Sequence, residues 1–151
     1  MALSKVLAKE FDWKVDDGTD TSTFVDIGGL NSVSPSPTKN DADTTTYDED
    51  WVTHLVSTRG LEFTLEGVHI EDPDTGDRDS GQERMEEVAE LVGSGSVVPF
   101  EVTSPGGNTI TFSASVNATP FGASTGGGND DAAGFSYTLT VSGKPSFSAS
   151  A

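Results

Sequence analysis

The sequence predicts a mainly β fold, a sandwich or barrel of antiparallel strands with one flanking α-helix. Two observations carry this prediction. Apolar and polar residues alternate in several short runs, and one segment instead has apolar residues at helical spacing. Turn-forming clusters of Gly, Asp, Ser and Pro separate the runs, as is typical of all-β domains. The length of 151 residues suits one domain, residues 1–151.

The last three predicted strands are the clearest. Residues 97–103 and 109–116 flank a Gly-rich turn at 104–108, which predicts a β-hairpin. A further strand, 135–142, follows a Gly-rich loop at 119–134. One face of 109–116 and of 135–142 is apolar and the other is Ser and Thr, so each strand should bury one face only.

Four earlier strands are predicted with weaker alternation. The alternation in residues 60–70 changes phase at Gly67, which indicates a β-bulge at that glycine. We expect residues 60–70 to pair with 51–58. The other two strands, 11–15 and 22–27, are joined by a turn-rich segment.

One helix is predicted at about residues 81–92. Ser80 and Glu83 fit a capping box at its start, and Gly93 fits a stop at its end. The helix should bury a stripe of apolar side chains and expose a row of glutamates. The stripe is Met85, Val88, Ala89, Leu91 and Val92, and the row is Glu83, Glu86, Glu87 and Glu90.

The composition excludes several classes of function. The net charge of −17 argues against nucleic-acid binding through a basic patch, because such a surface repels phosphates. The chain has no cysteine, which excludes disulfides, thiolate metal sites and a cysteine nucleophile. No apolar run is long enough for a membrane span, and residues 1–15 do not resemble a secretory signal. We expect a protein that folds in a cytoplasm.

Catalytic and metal-binding motifs are weak or missing. The acidic loop 71–81 offers Asp72, Asp74, Asp77 and Glu83 as weak calcium ligands, but Gly76 and Asp77 stand in the wrong order for an EF-hand. We therefore expect no cofactor and no assigned metal. Because no nucleophile and base occur in a catalytic motif, we expect no enzymatic activity.

The long polar connection at residues 38–51 is the most unusual segment. It has no apolar periodicity, and connections of such length are uncommon in compact domains unless they are functional or disordered. Tyr47 and Trp51 are aromatic, a type enriched at protein interfaces.

Three stretches carry a family likeness: "VDIGGLNSVSPSP" at 25–37, "DADTTTYDEDWVTHLVSTRG" at 41–60 and "GLEFTLEG" at 60–67. Taken together, they resemble the tail tube (major tail) protein family of long-tailed bacteriophages. An acidic loop, a single helix and a Ser/Thr-rich last third follow in the family's order. The resemblance implies a tail tube domain whose copies share β-sheet in rings, usually of six, that stack into a conduit for DNA entering the host.

The resemblance also implies partners and a location. The chain would assemble with itself in the host cytoplasm and reside in the virion tail. Its neighbours would include tape measure, tail terminator and baseplate proteins, with DNA passing through the bore without specific binding. Glu62, Thr64 and Glu66 are candidates for a bore-facing row, although their alternation fits bulk solvent equally well.

The long polar segment would then reach a neighbouring subunit or ring. Its candidate contact residues are Asp41, Asp43, Thr44, Thr45, Thr46, Tyr47, Asp48 and Trp51. The alternative is a flexible surface loop. For the whole chain, the alternative function is a monomeric acidic β-sandwich that binds calcium or another ligand, as an adhesion or capsid-decoration module.

Overall fold

A computed structural model describes residues 4, 5, 7, 10–18, 23–48, 50–118 and 134–149. The described part contains one antiparallel sheet in the order β2-β1-β5-β6-β7-β4-β3 and one α-helix. This confirms the predicted mainly β fold. The elements are β1 (Asp12–Asp16), β2 (Phe24–Asp26), β3 (Leu30–Asp43), β4 (His54–Val68), α1 (Ser80–Ala89), β5 (Val98–Thr103), β6 (Thr109–Asn117) and β7 (Gly134–Ser148).

The sheet curls over its own apolar face. Trp13 on β1 and Phe63 on β4 are far apart in the strand order, yet their ring centroids lie 5.2 Å apart. The two halves of the sheet therefore face each other as in a sandwich. The buried core between them and α1 comprises Trp13, Val15, Ile27, Leu65, Met85, Val88, Val98, Phe100, Val102, Phe112, Ala114, Val116, Phe135, Tyr137 and Leu139.

The strands with the clearest alternation are confirmed. β5 and β6 pair antiparallel from Val98 with Ala114 to Thr103 with Thr109, and the turn between them closes with a hydrogen bond from the Ser104 amide to the Asn108 carbonyl. β7 begins close to its predicted start but continues to Ser148, because its last residues pair with the beginning of β6. The loop predicted at 119–134 lies outside the described residues except for Gly134.

The prediction for the first half of the sheet was partly wrong. Residues 51–58 and 60–70 do not pair with each other, because His54–Val68 is one continuous strand. Its partner on one side is β3, which carries Pro35 and Pro37 and has no clear alternation. β3 is an edge strand, where proline is tolerated because its missing N–H can face away from the sheet. The bulge predicted at Gly67 is not in β4, whose register with β7 is unbroken from Glu62 to Val68; the extra residue lies in the partner strand β3, between Leu30 and Ser32.

The helix is confirmed, but its ends and buried face differ from the prediction. Asp79, not Ser80, is the N-cap, and its carboxylate accepts from the Gln82 amide. The helix ends at Ala89, so Leu91 and Val92 are exposed instead of joining the buried stripe. Glu86 is buried and forms a hydrogen-bonded ion pair with Arg78, although the sequence predicted a solvent-facing glutamate.

The one cation of α1, Arg84, is buried as well. Arg84 donates from Nε to the Asp16 carbonyl at 2.9 Å and from an Nη to the Asp16 carboxylate at 3.1 Å. Its second Nη donates to Glu87 at 2.8 Å. This network ties α1 to the end of β1.

No helix among the described residues is long and apolar enough to cross a membrane.

Candidate functional site

The outer face of β3, β4, β7 and β6 is lined by short polar side chains and two glutamates. Cross-strand pairing aligns them in rows, because directly paired residues point to the same side of a sheet. We call this set the polar sheet face. Its rows are Ser36, Glu62, Thr140 and Ser115; then Ser34, Thr64, Thr138 and Asn117; then Ser32, Glu66 and Ser136.

The three residues proposed for the bore lie at the centre of this face. Glu62 and Glu66 are exposed, Thr64 is half-buried, and all three point away from the core residue Leu65. The polar row predicted on one strand is therefore part of a polar surface that spans four strands. A single strand's alternation could not show this, because the register with β3, β7 and β6 is fixed by tertiary pairing.

A long hairpin forms a second feature. β3 and β4 stay paired from Lys39 with Arg59 to Asp43 with His54, and the described residues of 38–60 are all exposed. We call residues 38–60 the arm and residues 44–53 its tip. Because the described residues of the arm are exposed, its strands are held mainly by the backbone ladder and by local side-chain bonds.

The arm corrects the predicted loop at 38–51. Residues 38–43 are strand rather than loop, so Asp41 and Asp43 lie on β3 and the connection is confined to 44–53. Alternation could not reveal this strand, because a strand exposed on both faces needs no apolar pattern. The other candidate contact residues, from Thr44 to Trp51, do lie in the tip.

Hydrogen bonds between threonine residues connect the two sides of the tip. The Thr44 amide donates to the Thr53 carbonyl at 3.0 Å, and the Thr53 amide donates to the Thr45 hydroxyl at 2.8 Å. A hydrogen bond from the Thr45 backbone amide holds the pKa of Asp43 below its usual range, and the Thr46 hydroxyl does the same for the pKa of Asp48. Both carboxylates therefore remain charged well below neutral pH.

Large apolar side chains are exposed at the tip and at Leu55, next to it at the start of β4. Trp51 is 84% exposed, Val52 78% and Leu55 66%, and Tyr47 is fully exposed. Val52 and Leu55 were not among the predicted contact residues. Contiguous exposed apolar side chains on a soluble chain commonly mark an interaction surface.

The architecture matches solved structures of phage-like tails. A chain from the "virion of native gene transfer agent (GTA) particle" superposes with a TM-score of 0.67 at 21% identity, covering 96% of this chain and 100% of that one. The tail of an empty GTA particle, refined with C6 symmetry, gives a TM-score of 0.65 at 21% identity over 96% of this chain and 100% of that chain. The chain has a tail-tube-like fold.

A contractile injection system carries the same tail-tube-like fold. The PVC sheath–tube complex in its extended state contains a chain that matches with a TM-score of 0.62 at 15% identity, covering 97% of this chain and 93% of that chain. No protein-family model matches the sequence, and no curated protein matches it. The likeness lies in the three-dimensional fold.

The acidic loop of this tail-tube-like fold is a hydrogen-bonded turn. Asp72 accepts from the Asp74 amide at 2.9 Å, which lowers the pKa of Asp72, and the Thr75 hydroxyl donates to Asp77. Glu83 lies on the exposed side of α1. Within the described residues, no three acidic or histidine side chains are placed to hold a metal ion together.

Proposed function

We propose that this chain is the structural subunit of a viral or phage-like tail tube, without catalytic activity. Its copies join in rings, six to a ring, and the rings stack into a conduit for DNA. The observation that carries the proposal is the polar sheet face, a broad four-strand surface on a tail-tube-like fold. Such a surface suits a wet lumen better than a dry contact between subunits.

The charge of the polar sheet face fits a conduit. Its only ionisable side chains are Glu62 and Glu66, and the rest are Ser, Thr and Asn. Protein adheres to DNA chiefly through cations that replace the counterions of the phosphates, and this face offers none. In the proposed tube the face lines the bore, so DNA slides past it without being held.

In a ring, the edge strands of each copy have to pair with strands of the neighbouring copies. Within the described residues, β3 and β2 are the two edges of the sheet. Unpaired edges readily accept another strand, and closing a barrel through shared sheet removes them. Pro35 and Pro37 lack N–H donors, so a strand added from a neighbouring copy has to pair with β3 mainly beyond residues 35–37.

Negative-stain electron microscopy of the concentrated full-length protein tests the proposal. We expect hollow filaments of uniform width with a repeating axial density. A protein that stays monomeric at high concentration, and whose melting temperature rises with added calcium, would instead be the acidic binding module.

The orientation of the polar sheet face is tested by labelling a new cysteine. The chain has no native cysteine, so Thr64→Cys carries the only thiol. We expect a small maleimide to label assembled tubes and a maleimide coupled to a globular protein to label only disassembled subunits. A bore admits the first reagent and excludes the second.

Two results would place the face elsewhere. Equal labelling of tubes by both reagents would put Thr64 on the outer surface. Protection from both reagents would put it in a contact between subunits. As the control, Glu90→Cys, on the exposed end of α1, reports whether each reagent reacts normally with disassembled subunits.

A further inference from the structure

An apolar cleft opens between the two halves of the curled sheet. It has a volume of about 280 Å³. The cleft adjoins the core, because three of its aromatic side chains each lie two residues along a strand from a core residue, on the same face. These pairs are Trp13 with Val15, Phe63 with Leu65 and Phe112 with Ala114. The full lining is Phe11, Trp13, Val33, Pro35, Phe63, Val102, Ile110 and Phe112.

Large apolar side chains at the rim of the cleft are exposed to solvent. Phe11 is 37% exposed and Ile110 is 41% exposed. Phe147, which pairs with Ile110 across β6 and β7, is 68% exposed and extends the same apolar surface. All the residues that line the cleft are hydrophobic, and the indole N–H of Trp13 is the one side-chain hydrogen-bonding group among them, so the cleft suits an apolar occupant better than a polar ligand.

The arm tip is the apolar surface that complements this cleft. Trp51, Val52 and Leu55 together present an aromatic ring and aliphatic groups on a hairpin braced by its threonines. Large aromatic side chains that fill a pocket are typical anchors of protein interfaces. The two surfaces are matched in chemistry and are carried by the same chain.

The tip cannot reach the cleft of its own chain. Phe63 in the cleft and Leu55 near the tip lie on the same continuous strand, β4. Eight residues of extended strand separate them by roughly 27 Å at the usual rise per residue. The paired ladder with β3 keeps the arm extended, so a tip that fills the cleft has to belong to a second copy.

We propose that the arm tip of one copy docks in the apolar cleft of the next copy. This inference rests on the proposed tube and names the site that receives the arm. Tip and cleft are different surfaces, so the contact is head-to-tail and each joined pair of copies keeps one free tip and one free cleft. Such a contact propagates without limit along the tube and ties successive rings together.

Cysteine cross-linking tests the contact in the full-length chain. The variant with both Val52→Cys and Ile110→Cys places one thiol on the tip and one on the cleft rim, and it adds no other thiol because the native chain has none. Under mild oxidation we expect a ladder of covalent dimers, trimers and longer oligomers on a non-reducing gel. Mixing the two single-cysteine variants should produce dimers only.

A matched control moves the second thiol away from the cleft. Leu91 is 40% exposed, close to the value for Ile110, and follows α1 rather than lining the cleft. The variant with Val52→Cys and Leu91→Cys should form no ladder. A ladder of equal strength from this control would show unspecific oxidation and would overturn the proposal.

The outcomes separate this inference from the proposed function. If filaments form and the Val52–Ile110 pair gives no ladder, the tip binds elsewhere and only the tip-to-cleft contact is wrong. If the ladder forms and no filaments are seen, the contact stands and the tube is wrong. If neither appears, both are wrong.

Discussion

Removing the distal arm is expected to abolish tube formation while leaving the monomer folded. The variant deletes residues 40–58 and joins Lys39 to Arg59 through Asn-Gly. Lys39 and Arg59 face each other across β3 and β4, and a two-residue Asn-Gly turn closes an antiparallel pair at such a position. The variant loses the tip and keeps every core residue.

The monomer should tolerate this deletion because the arm stabilises little beyond itself. The described residues of the arm are exposed on both faces, and the buried side chains of β4 begin only near Leu65. We expect a melting temperature within a few degrees of that of the full chain. Analytical ultracentrifugation should show monomers at concentrations at which the full chain sediments as filaments.

A matched control keeps the arm and its tip. Asn40 donates to the Thr58 hydroxyl at 2.8 Å on the exposed arm, and Thr58→Ala removes that bond without shortening the hairpin. This variant should still assemble. Normal tubes from the deletion variant would show that the arm is dispensable, and an unfolded deletion variant would show that the arm supports the domain.

The parts of the fold that the sequence predicted well are those buried on one face. β5, β6 and the first half of β7 alternate because one side packs in the core and the other meets water. β3 was missed for the opposite physical reason. Beyond Val33 it is exposed, so its strand conformation comes from pairing with β4 and not from a pattern of its own.

The candidate site was predicted only in outline. Glu62, Thr64 and Glu66 were found as one polar row, but the rest of the polar sheet face depends on registers that join residues far apart in the sequence. The arm was predicted as a long polar segment at 38–51, but as a loop, whereas residues 38–43 are a strand paired with β4. The apolar cleft could not be predicted, because its lining comes from five separate regions of the chain that meet only when the sheet curls.

The buried ion pairs were missed because helical spacing shows which residues share a face of α1. It does not show which residues outside the helix contact that face. Glu86 and Arg84 are charged residues on a helix, a pattern that normally indicates solvent exposure. Arg78, from the loop before α1, and Asp16, from the end of β1, supply the opposite charges. Neither partner lies at a helical spacing that would have suggested the contact.

Arg84→Ala is expected to be among the most destabilising single substitutions in the chain. Arg84 is 9% exposed and Asp16 is 5% exposed, so removing the guanidinium leaves a carboxylate buried beside a carbonyl with no cation. Breaking a buried ion pair on one side costs about 3–5 kcal/mol. That is a large fraction of the about 5–15 kcal/mol that separates a typical folded domain from its unfolded chain.

Urea unfolding measures this loss, and two further variants identify its cause. Glu87→Ala removes only the exposed partner of Arg84 and should cost about 0–1 kcal/mol. Adding Asp16→Ala to Arg84→Met should restore much of the stability, because both buried charges then disappear together. If Arg84→Ala costs no more than Glu87→Ala, the bond from α1 to β1 is not a stabilising element. If the double variant stays as unstable as Arg84→Ala, the uncompensated charge of Asp16 is not the cause of the loss.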